Sequence, residues 1–248
     1  MNFINGNWVE GKGKRFSSLN PIDNTCIWEG NFSSNSQMKE AVQSARSAFI
    51  EWNKKDLNAR LKIIKKFYSL LELNKEKIKD LINQETGKEL NDSLSEVGAS
   101  IAKYQNSLNA FNIRTGKSSS KVGSNKQVTS HKPHGVLSVI GPFNFPFHLP
   151  NGHITPALIA GNVVILKPSE HTPMVAELMV KLWEEAGIPN GVISLLHGGK
   201  DIVQNLAKHP LTNGVLFTGS YIAGMSLSKI MGNFPNKILA LELGGNNP

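Results

Sequence analysis

Residues 141–170 constrain the fold more than any other stretch, because they isolate one short apolar run between two turns. Val163 to Leu166 (VVIL) contains no polar residue, which is typical of a parallel strand covered on both faces. A helix is predicted before it, from about Leu149 to Ala160, and residues 161–162 (Gly-Asn) can end that helix by adopting positive φ. Pro168 then ends the strand. The stretch therefore predicts turn, helix, turn, strand and turn.

Three polar residues stand where this predicted strand ends. Lys167 closes the apolar run, and Ser169 and Glu170 come directly after the proline. They are expected at the carboxyl edge of the sheet, where open α/β sheets bind their ligands. A surface Lys–Glu pair of little energetic value is the alternative, and the position just past a buried strand argues against it.

Strands and helices alternate through the second half of the chain. The predicted strands are Val136–Ile140, Val163–Leu166, Val192–Leu196, Val215–Thr218 and Ile238–Leu243, and the later helices begin at Pro173 (capped by Thr172), Asp201 and Ile222. This spacing predicts the α/β class with a doubly wound, Rossmann-like parallel sheet.

The first half of the chain has a different pattern. Asn5-Gly6 between short apolar runs predicts a two-residue hairpin. Apolar residues recur three and four apart from Ser36 to Gly116, which predicts helices, one of them from Leu57 to Leu73. The last of these helices has an apolar seam that includes Leu94 and Val97 and is predicted to lie on the core. A polar stretch then predicts an extended β arm. The predicted division is 1–117 for the hairpin and helices, 118–134 for the arm, and 135–248 for the Rossmann-like core.

Composition narrows the classes of partner. The net charge of +8 suggests anionic partners. Nucleic acid is one alternative, but the lysines spread along predicted surface helices around residues 54–79, and no RNP, zinc-ligand or helix-turn-helix pattern accompanies them. A solvated helix face is the preferred interpretation. No apolar run approaches membrane-spanning length, and no histidine spacing indicates a metal site, so no nucleic acid, membrane or metal is predicted.

Cys26 is the single cysteine, which excludes a disulfide framework and fits a reducing cytoplasm. No basic or His-paired setting surrounds it in the sequence, so we expect a half-buried structural thiol and not a nucleophile. The amino terminus lacks a basic region followed by an apolar one, so no signal peptide is predicted.

A glycine turn between a predicted strand and a predicted helix is the second candidate binding element. It comprises Gly219, Ser220, Tyr221, Ile222, Ala223 and Gly224. Backbone N–H groups and the helix dipole at such a junction can hold a pyrophosphate. Gly219 lets a ligand approach the backbone, and the Ser220 hydroxyl can donate to a phosphate oxygen. A plain strand–helix connection is the alternative, and the KPSE turn one strand-helix unit earlier favours the binding site.

The motifs PFNFP and GNVVILKPSE, together with ELGGNNP at the end, resemble those of the NAD(P)-dependent aldehyde dehydrogenase family. The segment HKPHGVLSVIGPFNFPFHLPNGHITPAL is most similar to the branch that oxidises N-succinylglutamate 5-semialdehyde to N-succinylglutamate in arginine catabolism. One departure lies inside it, because that branch usually has glycine where this chain has Phe147.

The resemblance implies a role for each candidate residue. Lys167 would donate to the adenosine ribose, and Glu170 would accept from a ribose hydroxyl and repel a 2′-phosphate, which favours NAD over NADP. A turn asparagine usually caps its own backbone, but by resemblance the Asn144 amide points at the oxygen of the tetrahedral intermediate. Glu242 is the only acid in an otherwise apolar strand end, and an apolar surround would raise its pKa. It is either a paired structural glutamate or, by resemblance, the base that activates water for thioester hydrolysis.

The resemblance also implies parts that this chain lacks. Enzymes of the family are about twice as long and attack the aldehyde with a cysteine that would fall after residue 248, so the catalytic domain is expected to be absent and the chain inactive alone. The arm at 118–134 would pair with another subunit of a homo-oligomer. A non-catalytic dinucleotide-binding or assembly module is the alternative from another class, and a basic nucleic-acid binder is a third.

Overall fold

The structure is a computed structural model that describes residues 1–245, apart from the side chain of residue 117. Its strands are β1 Asn2–Ile4, β2 Asn7–Val9, β3 Arg15–Leu19, β4 Cys26–Asn31, β5 Lys117–Val122, β6 Asn125–Ser130, β7 Val136–Ile140, β8 Val163–Lys167, β9 Ile193–Leu195, β10 Gly214–Gly219 and β11 Ile238–Leu243. Its helices are α1 Asn35–Lys54, α2 Leu57–Leu73, α3 Lys75–Thr86, α4 Leu90–Arg114, α5 His148–Ile159, α6 Pro173–Glu185, α7 Lys200–Lys208 and α8 Tyr221–Met231.

A seven-stranded sheet in the order β11-β10-β7-β8-β9-β1-β2 forms the centre of the fold. The strands from β11 to β9 run parallel. The chain leaves β7 towards β8 and β9, then crosses back to β10 and β11 on the other side. The order of strands therefore reverses between β7 and β10, as in a doubly wound sheet. The predicted α/β, Rossmann-like fold is confirmed.

Helices cover both faces of this sheet. On one face α5 packs on β7, β8 and β10, and α2 and α4 pack on α5 in turn. On the other face α1 covers β7, β8 and β9, with α7 and α8 beside it. Every residue of β7 and β8 is buried as a result, because parallel strands with helices on both sides have no face left for water.

The predicted hairpin at the amino terminus is present and has a further role. Asn5 and Gly6 have φ of +50° and +79°, as a two-residue hairpin turn requires. Its first strand also pairs antiparallel with β9, with Phe3 opposite Leu195. The hairpin thus extends the parallel sheet, which the sequence analysis did not predict. The predicted division of the chain at residues 117 and 134 stays a prediction, and residues 246–248 of its last segment lie outside the described residues.

The predicted extended arm is a two-stranded antiparallel hairpin of β5 and β6. Every residue of β6 is exposed, and in residues 1–245 the two strands form a sheet with each other alone. A two-stranded hairpin is marginally stable by itself in water. Whether a second subunit covers it stays a prediction.

Three local predictions need correction. Cys26 is exposed and not half-buried, because it is the first residue of β4 and lies at the end of the separate two-stranded sheet β3-β4. The Thr172 side chain makes no capping bond for α6. Instead Glu85 of α3 accepts from the N–H of Met174 at 2.7 Å and of Val175 at 2.9 Å.

The third correction concerns the apolar seam of α4. Leu94, predicted to face the core, is 40% exposed, whereas Ser93, Glu96 and Ser100 on the same helix are buried. Small side chains let two helices approach each other closely, and this face of α4 packs against α5. The buried face of α4 is therefore small and polar in part.

Candidate functional site

A cavity of about 1780 Å³ opens at the carboxyl ends of four parallel strands. Its lining includes the last residue of each strand: Ile140, Lys167, Gly219 and Leu243. The point where the strand order reverses, between β7 and β10, lies in the middle of this row. Doubly wound sheets bind their ligands in this place. The volume exceeds the range of about 300–1,000 Å³ common for small-molecule pockets, so the cavity has room for a larger ligand.

The KPSE turn forms one wall of the cavity. Lys167 is 5% exposed, and its Nζ lies 3.3 Å from Oε2 of Glu170. Burial lowers the pKa of Lys167, and the Glu170 carboxylate opposes that shift. Burial raises the pKa of Glu170, but Lys167, a backbone N–H and His171 together lower it more, and the pKa lies below its ordinary value. The carboxylate is half-exposed to the cavity, and Ser169 is buried beside it with its Oγ accepting the N–H of His171 at 3.2 Å.

The start of α8 forms the opposite wall. Ser220 is the N-cap, and its Oγ accepts the N–H of Ala223 at 3.3 Å. That contact leaves the hydroxyl hydrogen available for a ligand. Four of the six predicted residues in this turn line the cavity: Gly219, Ser220, Ile222 and Ala223. The helix therefore presents its amino terminus, with its partial positive charge, to the cavity.

The other two predicted residues of this turn do not line the cavity. Tyr221 is 63% exposed and lies outside it. Gly224 is buried in α8, and an ideal Cβ there would lie 2.4 Å from Cδ2 of Leu243. The glycine at 224 thus lets α8 pack closely on β11.

Asn144 lies in the turn between β7 and α5 and lines the cavity. Its Oδ1 accepts the N–H of Phe145 at 3.0 Å, so the oxygen serves the turn, as the structural interpretation expects. The amide nitrogen makes no hydrogen bond with any group in residues 1–245. The same side chain can therefore shape the turn through its oxygen and donate to a ligand through its nitrogen.

Glu242 lies in β11 directly opposite Thr218 of β10 and also lines the cavity. The Thr218 hydroxyl donates to its Oε2 at 3.4 Å, and Nε2 of His153 lies 3.9 Å from the same oxygen. The side chain is 57% exposed, which corrects the expected apolar enclosure. The physical reason is that β11 is the last strand of the sheet and its end faces the open cavity.

Several polar residues in this cavity and beside it gave no signal in the sequence. His153 does not line the cavity, but its Nε2 lies 3.2 Å from Oγ1 of Thr218, which does. Burial lowers the pKa of His153, and Glu242 opposes the shift. Glu96 of α4 and Lys88, just before that helix, also line the cavity and form an ion pair at 2.7 Å. An acidic residue within a helix is normally predicted to be solvent-exposed. No local sequence signal distinguishes Glu96 from the exposed acidic residues of the other helices.

The structure also limits other chemistry within residues 1–245. No group of three or more His, Cys, Asp or Glu side chains there could hold a metal ion. None of the helices in that range combines the length and hydropathy that crossing a bilayer requires. Cys26 does not line the cavity.

Fold and cavity together define a class, the Rossmann-like α/β domains that bind ligands across a reversal of strand order. The sequence pattern of the aldehyde dehydrogenase family matches residues 8–248. The chain belongs to that family.

Curated relatives narrow the likeness. The chain is 48% identical over 246 residues to an N-succinylglutamate 5-semialdehyde dehydrogenase of Hahella chejuensis, covering 99% of this chain and 50% of that protein. It is also 48% identical over 245 residues to the protein of that name from Acinetobacter baylyi, again covering 99% of this chain and 50% of the relative. The chain thus spans about half the length of the curated relatives it matches.

Solved structures agree on the fold. An NAD-dependent benzaldehyde dehydrogenase from Corynebacterium glutamicum superposes with a TM-score of 0.93 at 31% identity, over 100% of this chain and 55% of that one. A betaine aldehyde dehydrogenase variant from Staphylococcus aureus, solved in complex with NAD+, superposes with a TM-score of 0.94 at 27% identity, over 100% and 51%.

Proposed function

We propose that this chain is the NAD-binding portion of an aldehyde dehydrogenase that oxidises N-succinylglutamate 5-semialdehyde. The observation that carries the proposal is the meeting of two elements at one cavity. The buried cation Lys167 and the carboxylate Glu170 stand on one side of the strand-order reversal, and the α8 amino terminus with Ser220 stands on the other. A dinucleotide has a ribose for the first element and phosphates for the second.

The residues present fit this cofactor. Glu170 is half-exposed and can accept from a ribose hydroxyl, while its charge opposes the 2′-phosphate of NADP. The first N–H groups of α8 and the Ser220 hydroxyl can donate to phosphate oxygens. When bound, the nicotinamide accepts a hydride from the substrate. Tyr221 and Gly224 are proposed to support this turn from outside the cavity.

Two further residues have roles in aldehyde oxidation. The Asn144 amide can donate to the carbonyl oxygen as negative charge develops on it, a contribution of about 2.7–4 kcal/mol to the barrier for donors of this kind. Glu242 can take a proton from water for hydrolysis of an acyl intermediate. The high identity to succinylglutamate semialdehyde dehydrogenases supports a substrate with a carboxylate tail.

The chain alone is proposed not to turn over aldehydes. Covalent catalysis requires a thiolate beside the carbonyl carbon, and Cys26, the single cysteine, is exposed on β4 outside the cavity. We also propose a cytoplasmic location, which the lone cysteine supports, and a homo-oligomer in which the exposed β5-β6 hairpin adds to a neighbouring sheet. Light scattering checks the last point, and a monomer at high concentration contradicts it.

Calorimetric titration of this chain with NAD+ and NADP+ tests cofactor binding. NAD+ is expected to bind at least about tenfold more tightly, which is about 1.4 kcal/mol. Glu170→Gln should narrow the gap, because it removes the charge and keeps the shape. Glu185→Gln removes the same charge from an exposed site on α6 and serves as the matched control. Equal affinity for the two cofactors, or no binding of either, refutes the assignment.

NADH formation with succinylglutamate semialdehyde and with simple aldehydes tests the second part. We expect none from this chain, whether parent or Cys26→Ser. Turnover that disappears on replacing Cys26 means that this thiol is the nucleophile and that the proposal of an incomplete site is wrong.

A further inference from the structure

The carboxylate of Glu96 is enclosed within the wall of the candidate site. Its side chain is 0% exposed, and its Oε2 lies 2.7 Å from Nζ of Lys88. Burying a carboxylate is costly unless a counter-charge and hydrogen bonds compensate it. The hydrogen-bond partners of the Glu96 carboxylate therefore show which parts of the structure it fixes.

The other oxygen of this carboxylate binds the start of α5. Oε1 accepts the N–H of Phe147 at 3.0 Å and the N–H of His148 at 3.1 Å. The first N–H groups of a helix have no partner within the helix and carry its partial positive charge. Phe147 occupies the N-cap position and makes no side-chain capping bond of its own. Glu96, from α4, supplies that cap.

The ion pair also contacts the other side of the turn. Nζ of Lys88 lies 3.6 Å from the centre of the Phe145 ring, a cation–π contact. The two contacts fix the turn just after Asn144, one at the Phe145 ring and the other at the Phe147 N–H. Its Oδ1 is already bonded to the N–H of Phe145, so the direction of its amide nitrogen follows from the backbone of this turn.

We propose that Glu96 is a positioning residue for Asn144. Its carboxylate joins Lys88 to the start of α5 and so fixes the turn that aims the Asn144 amide into the cavity. The inference rests on the proposed function in one respect, since donation by Asn144 to a carbonyl oxygen belongs to that proposal. It adds a residue 48 positions earlier in the chain to the set on which this donor depends.

Nuclear magnetic resonance of the full chain tests the inference with a matched pair of variants. Glu96→Ala removes the cap of α5. Glu85→Ala removes a cap of the same kind from the start of α6. Glu85 itself lies on α3, is 4% exposed and does not line the cavity. Both variants lose a buried glutamate side chain, so a general loss of stability affects both. Only Glu96→Ala is expected to shift the side-chain amide resonances of Asn144.

Hydrogen exchange gives the second readout. The Phe147 and His148 amides are expected to exchange at least about tenfold faster in Glu96→Ala, and to keep their parent rates in Glu85→Ala. Glu96→Gln keeps an acceptor for these amides and loses the charge that Lys88 requires, so it should show smaller changes of the same kind. If Glu96→Ala does not fold, the same measurements on Glu96→Gln test the inference.

The outcomes separate the two proposals. Unchanged Asn144 resonances in Glu96→Ala and Glu96→Gln, or equal changes in Glu85→Ala, overturn the inference. A parent chain that binds no NAD+ refutes the proposed function and leaves the Asn144 resonances as a valid test of positioning.

Discussion

Gly141 stands where β7 ends and the Asn144 turn begins, and a methyl group has no room there. An ideal Cβ at this position lies 2.7 Å from Cγ of Pro150 and 3.8 Å from Cα of Pro168. Carbon atoms in contact prefer about 3.5–4.0 Å, so Gly141→Ala must move Pro150 by about 1 Å. The ring of Pro150 is bonded to the backbone of α5. It cannot turn away as a flexible side chain does, and the start of α5 must move with it.

Two opposing terms set the size of the effect. Overpacking of this kind costs about 1–3 kcal/mol. Gly141 is not among the residues with positive φ, so alanine can adopt its backbone conformation and recovers about 0.4–1 kcal/mol by restricting the unfolded chain. With each term at the middle of its range, we expect Gly141→Ala to lower the free energy of unfolding by about 1.3 kcal/mol.

Gly98 provides the matched control. It lies in the interior of α4, is exposed, and has nothing within 4 Å of an ideal Cβ. Gly98→Ala should therefore raise the free energy of unfolding by about 0.5–1 kcal/mol. Urea unfolding followed by tryptophan fluorescence measures both variants. A Gly141→Ala chain as stable as its parent would refute the reasoning, because it would mean that α5 moves at no cost.

Three further predictions address other parts of the molecule. Cys26 is exposed and should react with a thiol reagent in the folded chain at nearly the rate of a free thiol, as absorbance shows directly. Trp183 stacks on Phe67 at 3.7 Å between ring centres, with both side chains fully buried, so Trp183→Ala should cost about 3–5 kcal/mol in urea unfolding. Burial lowers the pKa of His197, with Glu177 opposing. The unfolded chain then binds this proton more readily, stability is lost as pH falls below about 6.5, and His197→Gln should flatten that loss in unfolding measured from pH 8 to pH 5.

The predictable part of the fold is the part whose signals are local. The apolar run at residues 163–166 and the proline after it define β8 within one residue, and the predicted helix from Leu57 to Leu73 matches α2 at both ends. The Asp56 side chain accepts the N–H of Ala59 at 2.8 Å and begins that helix. Each of these features depends on residues a few positions apart, so a sequence reveals it.

Pairing between segments that are distant in the sequence has no local signal, and it was not predicted. The hairpin around Asn5-Gly6 was predicted, but its place beside β9 was not, because Phe3 and Leu195 meet only once the sheet has formed. Apart from Tyr221 and Gly224, the predicted candidate residues line one cavity, for a reason that the sequence did contain. Each lies at the end of a predicted parallel strand or soon after it, and parallel strands bring their carboxyl ends to one edge.

The buried acids show where pattern analysis fails at the site itself. On α4 the apolar seam was predicted to mark the core, yet Glu96 is buried and Leu94 is exposed. Hydropathy predicts the wrong order of burial for these two residues, because it predicts that a charged side chain is exposed to solvent. The balance is reversed by partners that the helix does not contain: an ammonium group from Lys88 and two N–H groups at the start of α5. Glu85 on α3 repeats the arrangement at the start of α6. In both cases the acid is buried because a helix elsewhere in the chain begins without a side-chain cap of its own. A missing cap is not by itself a signal of a buried acid, because α3, α4 and α7 also begin without a side-chain cap and no acid of another helix bonds their first N–H groups within residues 1–245.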